Sequence, residues 1–101
     1  PMAIEVSIED LAREIANGAY VLDVREDDEW AAGHVPSAVH IPLGQLEARI
    51  DEVEDGSRVF VICRSGARSL KGADILFNNG IDAVSVAGGT MGWIDSGRAV
   101  E

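Results

Sequence analysis

The sequence predicts an α/β fold, a central mostly parallel sheet of five strands with helices on both faces, from three observations. Short β-rich apolar segments alternate along the chain with segments of helical periodicity. The central strands read as near-continuous apolar runs rather than period-two patterns, so both of their faces require cover. The length of 101 residues, 47% of them hydrophobic, suits one core and one domain over 1–101.

Ile4-Glu5-Val6 reads as a short first strand. Ser7 is placed to cap a helix, with Asp10 three residues on, apolar positions at Ile8, Leu11, Ala12 and Ile15, and Gly18 as its stop. Tyr20-Val21-Leu22-Asp23-Val24 is a buried strand. The acidic stretch Glu26-Asp27-Asp28-Glu29 suits the first turn of a helix, where carboxylates meet the positive end of the dipole, and Gly33 ends it. Val39-His40-Ile41 is a weak strand closed by Pro42. Leu43, Leu46, Ile50 and Val53 recur at helical spacing, which predicts a helix over 43–53, and Asp55-Gly56 turns the chain. Val59 to Ile62 is the strongest strand. A helix follows from about Ala67 to Phe77, ended by Asn78-Asn79-Gly80. Ala83 to Val86 is a fifth strand, and Gly88-Gly89 leads into a short helix around Met91 to Ile94.

Eighteen acidic against eight basic residues leave a net charge of −10. A chain this negative is repelled by nucleic acid and anionic lipid, so neither is an expected partner. The longest apolar runs are far too short to span a bilayer. Residues 1–5 show neither the basic start nor the apolar stretch of a signal peptide, and the lone cysteine cannot form an internal disulfide, so the expected location is the cytoplasm. One Cys and two His at distant positions do not supply zinc-ligand spacing, so no metal and no cofactor is expected.

Against this acidic background one basic cluster stands out: Arg64, Arg68 and Lys71, directly after Cys63. The segment Cys63-Arg64-Ser65-Gly66-Ala67-Arg68-Ser69 joins the strongest strand to a helix, at the strand C-terminus where ligand sites of parallel sheets form. Successive amides of a tight Gly-containing loop converge into an anion-binding nest, and the helix N-terminus adds its own donors. A thiol there is expected to have a lowered pKa, with the dipole and both guanidiniums favouring the nucleophilic thiolate. A lone strand-end cysteine is ordinarily an inert core residue. An inert cysteine, however, has no use for two arginines, two serines and a glycine around it.

Four stretches in this order resemble the rhodanese family. They are Val21-Leu22-Asp23-Val24-Arg25-Glu26 with Glu29-Trp30; Gly33-His34-Val35-Pro36-Ser37-Ala38-Val39-His40-Ile41-Pro42; the Cys63–Ser69 loop; and Ala87-Gly88-Gly89-Thr90-Met91-Gly92-Trp93 with Gly97. Ser37 departs from the pattern, standing where the family often has Gly. The resemblance implies a rhodanese-like domain acting as a thiosulfate-type sulfurtransferase. Cys63 would take a sulfane sulfur as a persulfide, the loop amides (Arg64, Ser65, Gly66, Ala67, Arg68, Ser69) would cradle it, and cyanide or another thiol would remove it. Arg64 and Arg68 are placed to hold the oxygens of a small anionic donor; Arg68 is equally placed to pair with an acid such as Asp23. Phosphatases and arsenate reductases put five residues between their Cys and Arg, whereas four lie between Cys63 and Arg68. The smaller ring suits one sulfur atom.

Asp23 and Arg25, at a buried strand end, read as an ion pair or loop anchor supporting the Cys63 loop. His34 belongs to a structural turn and His40 to a strand; persulfide chemistry on a preformed thiolate needs no base. Gly88 to Gly92 lacks the spacing of a dinucleotide or phosphate loop and serves a tight turn. Trp93 is a core anchor, Met91 a gap filler or pocket wall, and Trp30 sits partly exposed at the mouth. The run Glu26–Glu29 reads as a solvated helix start. Besides the enzyme, two alternatives stand: a persulfide carrier in a sulfur relay with a protein partner, and a non-catalytic binding module. A monomer is the default state.

Overall fold

The computed structural model describes residues 3–101; Pro1 and Met2 lie outside it. Five strands form one sheet: β1 (Ile4–Val6), β2 (Tyr20–Asp23), β3 (Val39–His40), β4 (Val59–Ile62) and β5 (Ala83–Val86). Their order is β1-β5-β4-β2-β3 and every pairing is parallel. Four helices connect or follow them: α1 (Ile8–Ala16), α2 (Asp27–Ala32), α3 (Ala67–Asn78) and α4 (Gly89–Asp95).

Alternation along the strands splits the core in two. Val21, Phe60, Ile62 and Val84 face one side and pack with Ile8 and Leu11 of α1 and Trp93 of α4. Leu22, Val59, Val61 and Ala83 face the other and pack with Ala73 and Leu76 of α3. Completely burying a side chain such as Leu11, Leu22 or Leu76 contributes about 1.5–3 kcal/mol, so each face carries its own share of the stability. Helices therefore cover both faces, as the continuous apolar runs require.

α1 begins with the expected capping box: the Asp10 amide donates to the Ser7 hydroxyl at 3.0 Å, and the Ser7 amide to the Asp10 carboxylate. The helix predicted over 43–53 is absent. In its place stand two 3₁₀ turns, Leu43–Gln45 and Ile50–Glu52. Leu46 and Val53 are buried, with Leu43 and Ile50 packed beside them, so the periodicity correctly marked the inward residues. Spacings of three (43 to 46, 50 to 53) fit a 3₁₀ turn as well as an α-helix. Gly44 further weakens continuous helix between them.

Smaller differences concern boundaries. β2 ends at Asp23 and β3 at His40, each one residue earlier than expected, and α3 runs one residue further, to Asn78. α4 starts at Gly89 rather than near Met91. Ser37, exposed in the loop before β3, sits at φ 70°, the one non-glycine residue with positive φ among the described residues. Glycine suits that backbone without strain, which explains the residue the resemblance leads one to expect there.

Candidate active site

Cys63 lies immediately beyond β4, between the C-terminal ends of β2 and β5. The main chain then folds back on itself: Gly66, at φ 126°, turns it into the first turn of α3. The Cys63 sulfur thereby sits within its own loop. It accepts hydrogen bonds from the amides of Gly66 at 3.2 Å and Ser69 at 3.3 Å, and lies 3.4 Å from the Ser69 hydroxyl.

Burial pushes the Cys63 thiol up, since it disfavours the charged form. Hydrogen bonds from the Ser69 hydroxyl and from the amides of Ser69, Gly66 and Ser65 outweigh it, and the thiol is held below its ordinary value. The direction matches expectation, but the cause is local. Main-chain donors and one hydroxyl stabilise the thiolate, and neither guanidinium makes a hydrogen bond to the sulfur.

Tertiary contacts hold the loop open toward that sulfur. The amide of Met91 donates to the Arg64 carbonyl at 3.0 Å, and the neighbouring Thr90 amide binds the carbonyl of Cys63. A trans peptide points its N–H opposite to its C=O. Carbonyls drawn outward to α4 thus leave the following amides facing the loop interior, and Ser65 is among those that reach the sulfur. Gly89 makes the approach possible: a Cβ there would lie 2.5 Å from the carbonyl oxygens of both Cys63 and Arg64.

Arg68 is engaged elsewhere. It forms a two-pronged pair with Glu29 of α2, at 2.7 and 2.9 Å, and not with Asp23. The Arg68 guanidinium holds the Glu29 carboxyl down at about 2. Glu29 also accepts the Glu26 amide that opens α2, so the acidic run is more than a solvated helix start: one member ties α2 to α3. The sequence shows acids at 26–29 but not which of them faces the loop, because that depends on how α2 lies across the sheet.

Asp23 is occupied by Arg25. The Arg25 amide and guanidinium both bind the Asp23 carboxylate, and a guanidinium nitrogen reaches the Gly33 carbonyl at 2.9 Å. Both side chains are buried, so the pair anchors the β2–α2 junction to the end of α2. Trp30 is stacked between His34, ring centroids 3.5 Å apart, and His40 at 4.7 Å. His40 is also hydrogen-bonded to the Arg25 carbonyl at 2.7 Å. Neither histidine approaches Cys63 through a hydrogen bond.

Arg64 is exposed and forms no ion pair among the described residues. It borders a groove of about 220 Å³ together with Arg25, Glu29, Gly33, Met91 and Ile94. Met91 and Ile94 are exposed on α4, so Met91 is a groove wall rather than a gap filler. Trp93 is buried, its indole N–H donating to the Ala99 carbonyl at 2.8 Å. A larger hollow of about 450 Å³ opens at the opposite end of the strands, beside Glu14, Tyr20 and Arg58. It lies away from Cys63, and the groove beside Arg64 is the one adjoining the Cys63 loop.

One residue of the site carried no signal in the sequence. Ser85, wholly buried in β5, places its hydroxyl 2.7 Å from that of Ser69. A serine within an apolar strand run is the only trace it left.

Comparison with known proteins identifies the family. The rhodanese-like domain family model matches residues 7–96. The putative sulfurtransferase YtwF of Bacillus subtilis is 40% identical over 74 residues, 73% of this chain and 72% of that protein. The putative sulfur carrier protein YrkF of the same organism is 35% identical over 92 residues, covering 88% of this chain but only 50% of that protein. The crystal structure of a rhodanese-related protein from Thermoplasma volcanium superimposes with a TM-score of 0.91 at 32% identity, over 97% of each chain. With a family match across nearly all of its length and a fold to go with it, this chain belongs to the rhodanese-like domain family.

Proposed function

We propose that residues 1–101 form one sulfurtransferase domain that moves a sulfane sulfur from a small anionic donor to a thiophilic acceptor through a persulfide on Cys63. The observation that carries this reading is the ring of main-chain donors around the Cys63 sulfur. Those donors suit a negatively charged sulfur in the resting enzyme and an equally charged terminal sulfur in the loaded one.

With thiosulfate the balance is simple. The Cys63 thiolate attacks the outer sulfur, a new S–S bond forms, the donor's own S–S bond breaks, and sulfite leaves with the electron pair. Cyanide or a thiolate acceptor then attacks the terminal sulfur and regenerates the Cys63 thiolate. Two modest displacements replace one direct transfer, with ping-pong kinetics as the signature. Cys63 is 1% exposed, which favours a slender donor whose reactive atom projects from its charged end. Exposed Arg64, not Arg68, is the cation left to meet the donor's oxygens. Asp23 and Arg25 bind each other and Gly33, and neither side chain is hydrogen-bonded to the Cys63 loop, so their part is to fix the β2–α2 junction.

The test is intact-mass measurement after incubation with thiosulfate. We expect a gain of one sulfur atom, removed by cyanide and absent in Cys63→Ser. No gain, or a gain that persists in Cys63→Ser, overturns the reading.

The likeness to a putative sulfur carrier supports a second reading, in which the same persulfide is loaded by a cysteine desulfurase and delivered to a protein partner. Faster loading by a desulfurase than by thiosulfate would favour it. In either case the domain acts as a monomer in a reducing compartment such as the cytoplasm, which suits its single free cysteine. No described helix is long and apolar enough to cross a membrane.

A further inference from the structure

We propose that Ser85 is a positioning residue of this site: its hydroxyl donates to the Ser69 oxygen and so turns the Ser69 hydroxyl onto the Cys63 sulfur. The proposal rests on the reading of Cys63 as the nucleophile, and it concerns a strand residue outside the loop itself.

Hydrogen-bond accounting leads to it. The Ser69 hydroxyl oxygen has three hydrogen-bonding neighbours: the Cys63 sulfur at 3.4 Å, the Gly66 carbonyl at 3.0 Å and the Ser85 hydroxyl at 2.7 Å. A hydroxyl has one proton to give and two lone pairs. With Cys63 as a thiol, its S–H donates to Ser69, and Ser69 donates to the Gly66 carbonyl. With Cys63 as a thiolate, the sulfur has become an acceptor, and the Ser69 proton must swing onto it. That swing competes with donation to Gly66 and with donation to Ser85.

Ser85 decides the competition by donating. When its proton points at Ser69, the Ser69 oxygen is already an acceptor there and its own proton is left for the sulfur or the Gly66 carbonyl. The donation also polarises the Ser69 O–H and strengthens the bond it gives to an anion. Ser85 is wholly buried and Ser69 is its one hydrogen-bond partner among the described side-chain bonds, so water does not replace the missing donor. Register makes the pair possible: Ser85 lies opposite Val61, two residues before Cys63, and on the sheet face that α3 covers. The charged groups near the site do not take over this role. Arg68, which senses the Cys63 charge, is bound to Glu29.

The pH dependence of iodoacetamide alkylation of Cys63 tests this without any sulfur transfer, so its outcome is separate from that of the sulfurtransferase reading. In Ser85→Ala the alkylation midpoint should rise by about half a pH unit, roughly a threefold loss of rate at a fixed pH below it. Ser69→Ala should raise it at least as much, and the double variant no further than Ser69→Ala alone, because Ser85 acts through Ser69. An unmoved midpoint in Ser85→Ala, or shifts that simply add, overturns the proposal. The near-isosteric pair Ser85→Thr and Ser85→Val, both suited to a strand, isolates the hydroxyl from packing. The Val variant should titrate higher than the Thr variant, and equal midpoints refute the role.

Discussion

The amide of Thr90 donates to the carbonyl of Cys63 at 2.8 Å, so the first turn of α4 grips the peptide of Cys63 from outside the loop. The sulfur's environment is therefore built by two chain segments: one supplies the donors, and the other holds their carbonyls away.

Gly89→Ala should break that grip. Its Cβ would meet main-chain oxygens at 2.5 Å on a residue already at φ 58°, and neither obstacle can move aside as a side chain would. We expect a loss of about 2–4 kcal/mol of stability and at least roughly tenfold slower persulfide formation. Thermal unfolding together with thiosulfate loading rates measures both.

The Glu29–Arg68 pair should give the fold an acid-sensitive component. The carboxyl is depressed in the folded protein, from 4.5 to about 2, so its stabilisation is complete above the unfolded value and fades as pH falls from there toward 2. The side chains are 25% and 34% exposed; after discounting for solvent screening, the pair contributes about 1–2 kcal/mol. Glu29→Gln should lower stability at neutral pH and flatten its pH dependence over that window, as followed by urea unfolding at stepped pH.

Cys63 should react as a thiolate at a pH where ordinary cysteine is still protonated. Its alkylation midpoint should lie below that of an ordinary cysteine thiol. Unfolding in urea should return the midpoint to the ordinary value, because the depression comes from folded-state hydrogen bonds. An unchanged midpoint on unfolding would place the cause in local sequence instead.

Arg64→Ala should separate binding from chemistry. The side chain makes no ion pair among the described residues and does not hold the loop, so the main effect should be a KM for thiosulfate raised about tenfold, the cost of one charge-assisted contact. Turnover at saturation should change much less. A neutral donor should be nearly indifferent to the substitution.

Ser37→Gly should stabilise the protein. Ser37 is exposed and sits at φ 70°, so glycine relieves backbone strain and loses no packing. The net gain, after the larger unfolded-state entropy of glycine, should be about 0.5–1 kcal/mol in denaturant unfolding.

Much of the molecule was legible before any coordinates. A near-continuous apolar run at 20–24, broken only by Asp23, and a continuous one at 59–62 gave away strands covered on both faces, because a buried parallel strand has no wet side to encode. Ser7 and Asp10 marked the start of α1 through the capping bonds they make. The 43–53 segment misled for a definite reason: burial at intervals of three records which residues face inward, not whether each carbonyl bonds three or four residues along.

Within the site, local sequence determined which donors form the sulfur nest. A cysteine at a strand end followed by Arg-Ser-Gly-Ala and a helix start has its donors within six residues, while the contacts from α4 fix how the loop carbonyls are turned. Everything that crosses between elements was decided by the tertiary structure. The order of the strands, the choice of Glu29 over Asp23 as partner of Arg68, the clamp from Thr90 and the hydroxyl of Ser85 all join residues at least sixteen positions apart. Such contacts depend on how whole helices settle on a twisted sheet, a balance of packing summed over the two cores that no single stretch of chain contains.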